Sequence, residues 1–285
     1  MGEILNSYIF PHPPIIIPGI GGGRENDAIA TIDACRRAAR EIAKCAPSTI
    51  LISSPHAPCF RDFIVLSDTE RLKGDFGRFG HPEISMDFQN NAELASEIIR
   101  YAQDENINAG FLNEREKRQY NISDEIDHGA MVPLFFVLQE LELLHLQCKL
   151  VHISTPFLPL NELHRFGKSI QKTIRDSKEN IVYIASGDLS HRLTQNAPAG
   201  YSTYGKVYDA GLVEIIRNGD VGRILSIQEN DMEEAGECGT RSFAMLFGVL
   251  DGFILKPSVY SYEGPFGVGY LVARMEASPD TREKM

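Results

Sequence analysis

The sequence predicts an α/β fold of three layers, in which a mostly parallel central sheet is covered by helices on both faces. Short apolar runs rich in β-branched residues alternate along the chain with segments of helical period, as in a parallel sheet covered by helices. The runs are apolar at nearly every position, which is typical of strands buried on both faces. Of the 285 residues 43% are hydrophobic, so the chain can bury such a core, and we expect one domain over residues 1–285.

Seven runs have the length and composition of strands. They are Ser7–Phe10, Thr49–Ser53, Phe63–Leu66, Lys149–Ser154, Ile181–Ala185, Lys256–Tyr260 and Gly269–Val272. Apolar residues at helical spacing predict helices at 27–46, 91–104, 128–143, 160–177, 204–217, 220–228 and 239–251. The glycine-containing segment Glu70–Asp87 is predicted to form a hairpin or flap.

Composition and charge exclude several classes of function. A formal net charge of −11 argues against binding to nucleic acid or to an anionic membrane surface, because both repel an acidic protein. The sequence has no uninterrupted apolar run of about 18 residues and no signal-peptide pattern at its start, so we expect a cytoplasmic protein without a membrane span. The five cysteines are scattered and form no CxxC pair, which argues against a disulfide framework or a structural zinc site.

Two histidines follow predicted strands in loops of similar composition. His12 lies in Pro11-His-Pro-Pro after the first strand, and His56 lies in Ser54-Pro-His-Ala-Pro after the second. The prolines on both sides hold each backbone extended and rigid. Ligands of open α/β sheets bind beyond the carboxyl ends of the strands, and a pre-fixed imidazole loses little entropy when it binds an ion. We therefore predict His12 and His56 as ligands of one divalent metal ion.

Two further histidines are candidates for proton transfer. His191 ends a polar turn after the strand Ile181–Ala185, and Asp188, three residues earlier, is predicted to orient its imidazole. His128 lies at the start of a predicted helix, where the helix dipole lowers the pKa of an imidazole and favours its neutral form. The remaining histidines, including His152, are predicted to be structural or surface residues.

The third metal ligand has two candidates at the entrance of the helix 239–251. Glu237 and Cys238 are adjacent, and adjacent side chains in a helical turn point about 100° apart, so one ion is expected to take only one of them. Two imidazoles and a carboxylate form the triad of non-haem Fe(II) oxygen chemistry, whereas two imidazoles and a thiolate favour copper or zinc. We predict Glu237 as the ligand, with Cys238 as the alternative. A glutamate that only complements the helix dipole is the structural alternative for Glu237.

Five short motifs, in this order, resemble the class III (LigB-type) extradiol dioxygenase superfamily. They are Pro11-His-Pro-Pro, Ser54-Pro-His, Asp127-His-Gly, Ser186-Gly-Asp-Leu-Ser-His and Gly236-Glu-Cys-Gly. The match is closest to the Memo-like branch, and especially to proteins of the AmmeMemoRadiSam system, which the segments Ala197-Pro-Ala-Gly-Tyr and Glu263-Gly-Pro-Phe-Gly-Val-Gly-Tyr also resemble. The resemblance extends over almost the whole chain.

This resemblance implies a LigB-like fold and an Fe(II) ion held by His12, His56 and Glu237. It implies that a catechol-like small aromatic compound chelates the iron, that O₂ binds beside it, and that the ring opens next to the diol. A histidine matching His191 then acts as acid and base, and His128 lines the same pocket. The chemistry is consistent with this reading, because a metal lowers the pKa of a phenol and a neutral imidazole can take its proton.

The Memo-like branch implies a different outcome. Its eukaryotic members carry a cysteine at the third ligand position, which Cys238 matches, and are linked to copper and redox signalling rather than to ring cleavage. The alternative function is therefore a metal-binding redox or scaffold protein, with AMMECR-type and radical SAM proteins as partners.

A metal-dependent hydrolase is a third hypothesis, because an open metal site can also activate water. The last predicted strand lies close to Met285, so we expect no fused domain, and the base rate among oligomers favours a homodimer.

Overall fold

The computed structural model describes residues 1–279, which form ten strands and nine α-helices. The strands are β1 (Glu3–Phe10), β2 (Thr49–Ser54), β3 (Ile64–Leu66), β4 (Arg71–Phe76), β5 (His81–Gln89), β6 (Ala109–Phe111), β7 (Lys149–Ser154), β8 (Asn180–Ser186), β9 (Phe253–Glu263) and β10 (Tyr270–Pro279). The helices are α1 (Ile29–Cys45), α2 (Ala92–Asp104), α3 (Glu114–Tyr120), α4 (His128–Leu143), α5 (Leu160–Asp176), α6 (Thr203–Asn218), α7 (Val221–Leu225), α8 (Glu229–Ala235) and α9 (Thr240–Val249). No helix in this part of the chain combines the length and apolarity needed to cross a bilayer.

Eight strands form one mixed sheet in the order β6-β3-β7-β2-β8-β1-β10-β9. The four central strands β7, β2, β8 and β1 are mutually parallel. Strands β10 and β9 add to one side as antiparallel neighbours, and β3 pairs antiparallel with β7 on the other. The predicted three-layer α/β class is confirmed, and the parallel part of the sheet is its centre.

The central strands are buried on both faces, so successive side chains enter two different cores. In β8, Tyr183 and Ala185 pack on one side, whereas Val182 and Ile184 pack on the other. The first core is completed mainly by α2, α5, α6 and α9. The second is completed by α1, α4 and the β4–β5 hairpin. Full burial explains why the strands are apolar at nearly every position rather than at every second one.

Three short elements differ from the prediction. Strand β6 has three residues, too few to give a periodic signal. Helix α3 buries no residue and is stabilised at its start by a capping box between Asn113 and Glu116, so it has no apolar face to recognise. Helix α8 is also only seven residues long. The predicted hairpin at Glu70–Asp87 is present as the antiparallel pair β4 and β5, which forms its own two-stranded sheet.

Helices α5 and α9 cross at a contact between two glycines. A Cβ atom added at Gly167 would overlap the carbonyl of Met245 and lie 2.7 Å from the backbone nitrogen of Val249. At Gly248 an added Cβ would overlap the carbonyl of His164. The two helix backbones therefore touch directly, and this close approach excludes any side chain at either position.

We expect Gly167→Ala to lower the free energy of unfolding by about 2 kcal/mol, because the new methyl group must push the two helices apart. Gly211→Ala in α6 is the matched control, since an added Cβ there has no neighbour within 4 Å. The control should be neutral or more stable by about 0.5–1 kcal/mol, as alanine is the better helix former. Urea unfolding of both variants measures the difference, and equal effects would contradict a backbone contact at Gly167.

Candidate metal site

The carboxyl ends of three neighbouring strands bring the predicted site residues together. Strands β2, β8 and β1 lie side by side and run in the same direction, so their carboxyl ends share one edge of the sheet. His12, His56 and Asp188 each stand two residues beyond the end of one of these strands. A parallel sheet presents such residues to one cleft, which is where ligands of open α/β folds bind.

His12, His56 and Cys238 form a compact cluster of possible metal ligands. The Nε2 atoms of His12 and His56 are 3.0 Å apart, and the Cys238 Sγ atom is 3.6 Å from His12 Nε2. One ligand atom from each of the three residues lies within 4.8 Å of the others, and within residues 1–279 no further group of three such side chains meets this limit. The two imidazoles predicted from the sequence therefore lie together, with a thiol as the third donor.

The predicted third ligand, Glu237, is not part of this cluster. Its carboxylate Oε2 accepts hydrogen bonds from the backbone N–H of Thr240 at 2.6 Å and from the Thr240 hydroxyl at 2.7 Å. Glu237 thus stabilises the first turn of α9. This is the role at a helix start that the sequence offers as the alternative to metal binding. Gly236 ends α8 in the left-handed conformation, and Cys238, in the connection between α8 and α9, lies beside the imidazoles. Glu237 therefore lies outside the cluster that the structure forms, and this geometry favours Cys238 over Glu237 as the third ligand.

The surroundings of His12 direct its Nε2 atom towards His56 and Cys238. The Ser186 hydroxyl donates to the carbonyl of Gly129 at 2.5 Å, so it accepts the Nδ1–H of His12 at 2.9 Å. In the neutral imidazole the proton is then on Nδ1, and Nε2 carries the lone pair. Burial lowers the pKa of His12, and it also lowers the pKa of His56, with the neighbouring imidazole adding to the effect. Both imidazoles are neutral near pH 7, as metal binding requires.

Asp188 links two members of the cluster. Its Oδ1 atom accepts the backbone N–H of His12 at 2.9 Å, and its carbonyl accepts the backbone N–H of Cys238 at 3.2 Å. Burial raises the pKa of Asp188 to about 6. The sequence predicts that Asp188 orients His191, but in residues 1–279 its carboxylate makes no hydrogen bond to that imidazole.

His128 is the first residue of α4 and borders the cluster. Its ring lies 4.2 Å from the ring of His56 and 5.9 Å from that of His12, measured between centroids. The pKa of His128 is lowered, mainly by burial, which favours the neutral imidazole expected from the sequence. The adjoining pocket has a volume of about 470 Å³, which suits a small molecule. Its walls include His56, Arg78, Phe79, Ile126, His128 and Met131.

A buried network behind His56 was not predicted. Asp127 accepts hydrogen bonds from the Ser54 hydroxyl at 2.6 Å and from His152 Nε2 at 2.8 Å. Burial opposes ionisation of Asp127, but these hydrogen bonds outweigh it and hold its pKa below the ordinary value. The position of Asp127 directly before the predicted helix at 128–143 could have indicated its role as the N-cap, since aspartate is preferred there. His152 lies inside strand β7, where no local pattern indicates a polar partner.

A second buried carboxylate fixes the turn that carries His191. Asp209 in α6 accepts the backbone N–H of Ser190 at 2.9 Å and the hydroxyl of Tyr262 at 2.7 Å. Its side chain is fully buried, and burial raises its pKa to about 6 despite these hydrogen bonds. Asp209 thereby connects the turn after β8 with helix α6 and strand β9.

Comparison with known proteins identifies relatives of this chain. The family described as the catalytic LigB subunit of aromatic ring-opening dioxygenase matches residues 6–273. The protein CA_C1420 of Clostridium acetobutylicum is 40% identical over 278 residues, which are 98% of this chain and 58% of that protein. The beta subunit of 2-aminophenol 1,6-dioxygenase from a Pseudomonas species is 23% identical over 298 aligned residues, covering 95% of this chain and 93% of the subunit.

A solved structure shares the fold. The crystal structure of the uncharacterized protein JW3007 from Escherichia coli K12 superposes with a TM-score of 0.63, covering 95% of this chain and 100% of that one. The sequence identity is 12%, so this likeness concerns the fold alone. Since the chain spans 58% of the length of CA_C1420, that relative contains a further region which the alignment does not include.

We expect Asp209→Asn to change how stability depends on pH. The native Asp209 takes up its proton near pH 6 and an unfolded aspartate near pH 3.8, so the wild type gains stability as the pH falls through 6, and loses it as the pH rises. Asparagine cannot titrate. The stability of the wild type relative to the variant should therefore increase by about 1 kcal/mol from pH 7.5 to pH 5. Urea unfolding at both values measures this, and a constant difference would disprove it.

Proposed function

Because the chain belongs to the family of catalytic LigB subunits of aromatic ring-opening dioxygenases, we propose that it binds one transition-metal ion and opens the ring of a small aromatic compound with O₂. The observation that carries this proposal is the cluster of His12, His56 and Cys238 beside the pocket bordered by His128. The relative that acts on 2-aminophenol supports a substrate with two adjacent hydroxyl or amino groups.

The donor set fits a transition metal. Two neutral imidazoles present nitrogen lone pairs, and a thiol lies beside them. Burial and the nearby carboxylates of Asp188 and Glu237 raise the pKa of Cys238 well above its ordinary value, so an ion that binds the sulfur must displace its proton. Fe(II) is the metal we propose on the basis of the family, and copper and zinc are the alternatives that a thiolate favours. Bound Fe(II) would supply O₂ activation and would lower the pKa of a coordinated phenol.

The remaining residues of the site bind and orient the substrate and move its proton. Phe79 and Met131 provide apolar pocket walls against which an aromatic ring can pack, and the ring of Phe79 lies 5.7 Å from that of His128. Neutral His128 is able to accept or donate a hydrogen bond at the pocket edge. We assign the acid and base role to His191, whose Nδ1 atom is buried and has no hydrogen-bond partner within residues 1–279. Asp188 positions His12 and Cys238 for the metal.

A second candidate function is a metal-binding redox or scaffold role without ring cleavage, as in the Memo-like branch. The observation that favours it is the thiol of Cys238 at the third ligand position. Copper would be the expected metal in this case, because thiolate ligands select it. AMMECR-type and radical SAM proteins would be the partners.

We expect Cys238→Ser to weaken metal binding at least 10-fold, because it removes the thiolate from the ligand set. Glu237→Gln should bind the metal nearly as well as the wild type, since Glu237 lies outside the cluster and its Oε2 atom is held by Thr240. Chelator competition with Zn(II) measures both affinities, and His12→Ala serves as the variant that must lose binding. Loss of binding in Glu237→Gln alone would restore Glu237 as the ligand.

We expect purified protein loaded with Fe(II) under anaerobic conditions to consume O₂ with a catechol or with 2-aminophenol. His191→Gln should lower kcat about 100-fold or more while it binds the same amount of iron, because it removes the proton carrier and no ligand. An oxygen electrode and metal analysis measure the two quantities. If the iron-loaded wild type consumes no O₂ across a panel of catechols and aminophenols, ring cleavage is excluded in favour of the second candidate.

A further inference from the structure

One carboxylate holds the backbones of two histidines that belong to different elements. Asp127 Oδ1 accepts the N–H of Gly129 at 2.7 Å and of Ala130 at 3.3 Å, which fixes the start of α4 and hence His128. The same oxygen accepts the Ser54 hydroxyl, and that hydroxyl in turn accepts the backbone N–H of His56 at 3.2 Å. The loop after β2 and the first turn of α4 are therefore tied to a single oxygen atom.

The other oxygen of Asp127 is held from the sheet. Its Oδ2 atom pairs with Nε2 of His152 at 2.8 Å, and His152 lies in β7 directly opposite Ile52 of β2. His152 is only 7% exposed, so the pair is shielded from water and its geometry is fixed by the surrounding strands. The N-cap bonds of α4 use Oδ1 alone, which means that the helix start does not itself require His152.

The order of these groups excludes a nucleophilic triad. In a hydrolytic triad an imidazole lies between the carboxylate and the hydroxyl and takes the hydroxyl proton. Here the carboxylate lies in the middle, and the Ser54 hydroxyl donates to it while accepting the N–H of His56. No imidazole accepts the Ser54 hydroxyl proton among residues 1–279, so the network positions groups rather than attacking a substrate.

We propose that Asp127 and His152 are positioning residues that fix His56 relative to His128 and thereby tune both the metal cluster and the adjoining pocket. The ring of His56 stacks on that of His128 at 4.2 Å with a tilt of 34°, so a shift of either backbone changes this contact. This inference rests on the proposed function, since it assigns a role in metal binding by His56. Hydrogen-bonded partners behind metal ligands commonly affect metal affinity 10- to 100-fold.

The test compares His152→Leu with His152→Gln. Leucine removes the donor to Asp127, whereas a glutamine amide can place an N–H near the Nε2 position. We expect His152→Leu to weaken Co(II) and Zn(II) binding 10-fold or more and to change the absorption spectrum of the Co(II) complex. His152→Gln should restore the affinity to within about threefold of the wild type.

His164→Leu is the matched control. His164 is also buried beside an aspartate, with 3.7 Å between its Nε2 atom and Asp251, but it packs in α5 against α9 and touches no residue of the cluster. This control should lose stability without any change in metal affinity or in the Co(II) spectrum. Unchanged affinity in His152→Leu, or an equal loss in His164→Leu, would overturn the proposal.

A readout in metal-free protein separates this inference from the proposed function. If the wild type binds neither Co(II) nor Zn(II), the proposed metal site at His12, His56 and Cys238 is refuted, but the positioning role of His152 is not yet tested. The positioning role is then decided by NMR of histidine-labelled protein, in which His152→Leu should shift the ring signals of His56 and His128. Signals that stay unchanged in His152→Leu, or that shift equally in His164→Leu, would refute it.

Discussion

The site depends on the parallel pairing of β1 and β2 with the strand between them, β8. These strands fix the positions at which the chain leaves the sheet, and the residues two positions beyond each end therefore meet at one edge. Because all three strands are buried on both faces, a shift in their register would move core side chains out of both cores, so the pairing is strongly specified. This register brings the two loops together, and within them the imidazoles of His12 and His56 come into contact.

Burial then sets the chemistry at this edge. An imidazole removed from water is disfavoured in its charged form, so His12 and His56 present lone pairs instead of protons. The same burial disfavours the thiolate of Cys238, which makes that sulfur a ligand only for an ion able to replace its proton. A cluster of this kind discriminates in favour of metals that bind nitrogen and sulfur strongly.

Hydrogen bonds from a surrounding shell hold the cluster in place. Ser186 sets the tautomer of His12, and Asp188 connects His12 with Cys238. Asp127 performs the corresponding task for His56. Ser186 and Asp188 are buried, so a partner lost there is poorly replaced by water and each contact affects geometry more than a surface hydrogen bond would.

The sequence by itself determined the fold class, most strand positions and the two loops that carry His12 and His56, because runs of buried strand and proline-framed turns are local patterns. It did not determine short elements such as β6 and α3, whose few residues give no period. Which of the adjacent residues Glu237 and Cys238 lies beside the imidazoles is visible only in the tertiary structure, because the chain between α8 and α9 places the Cys238 thiol in the cluster and the Glu237 carboxylate on Thr240. The role of His152 was likewise hidden, because its partner Asp127 is brought to it only by the packing of α4 against the sheet.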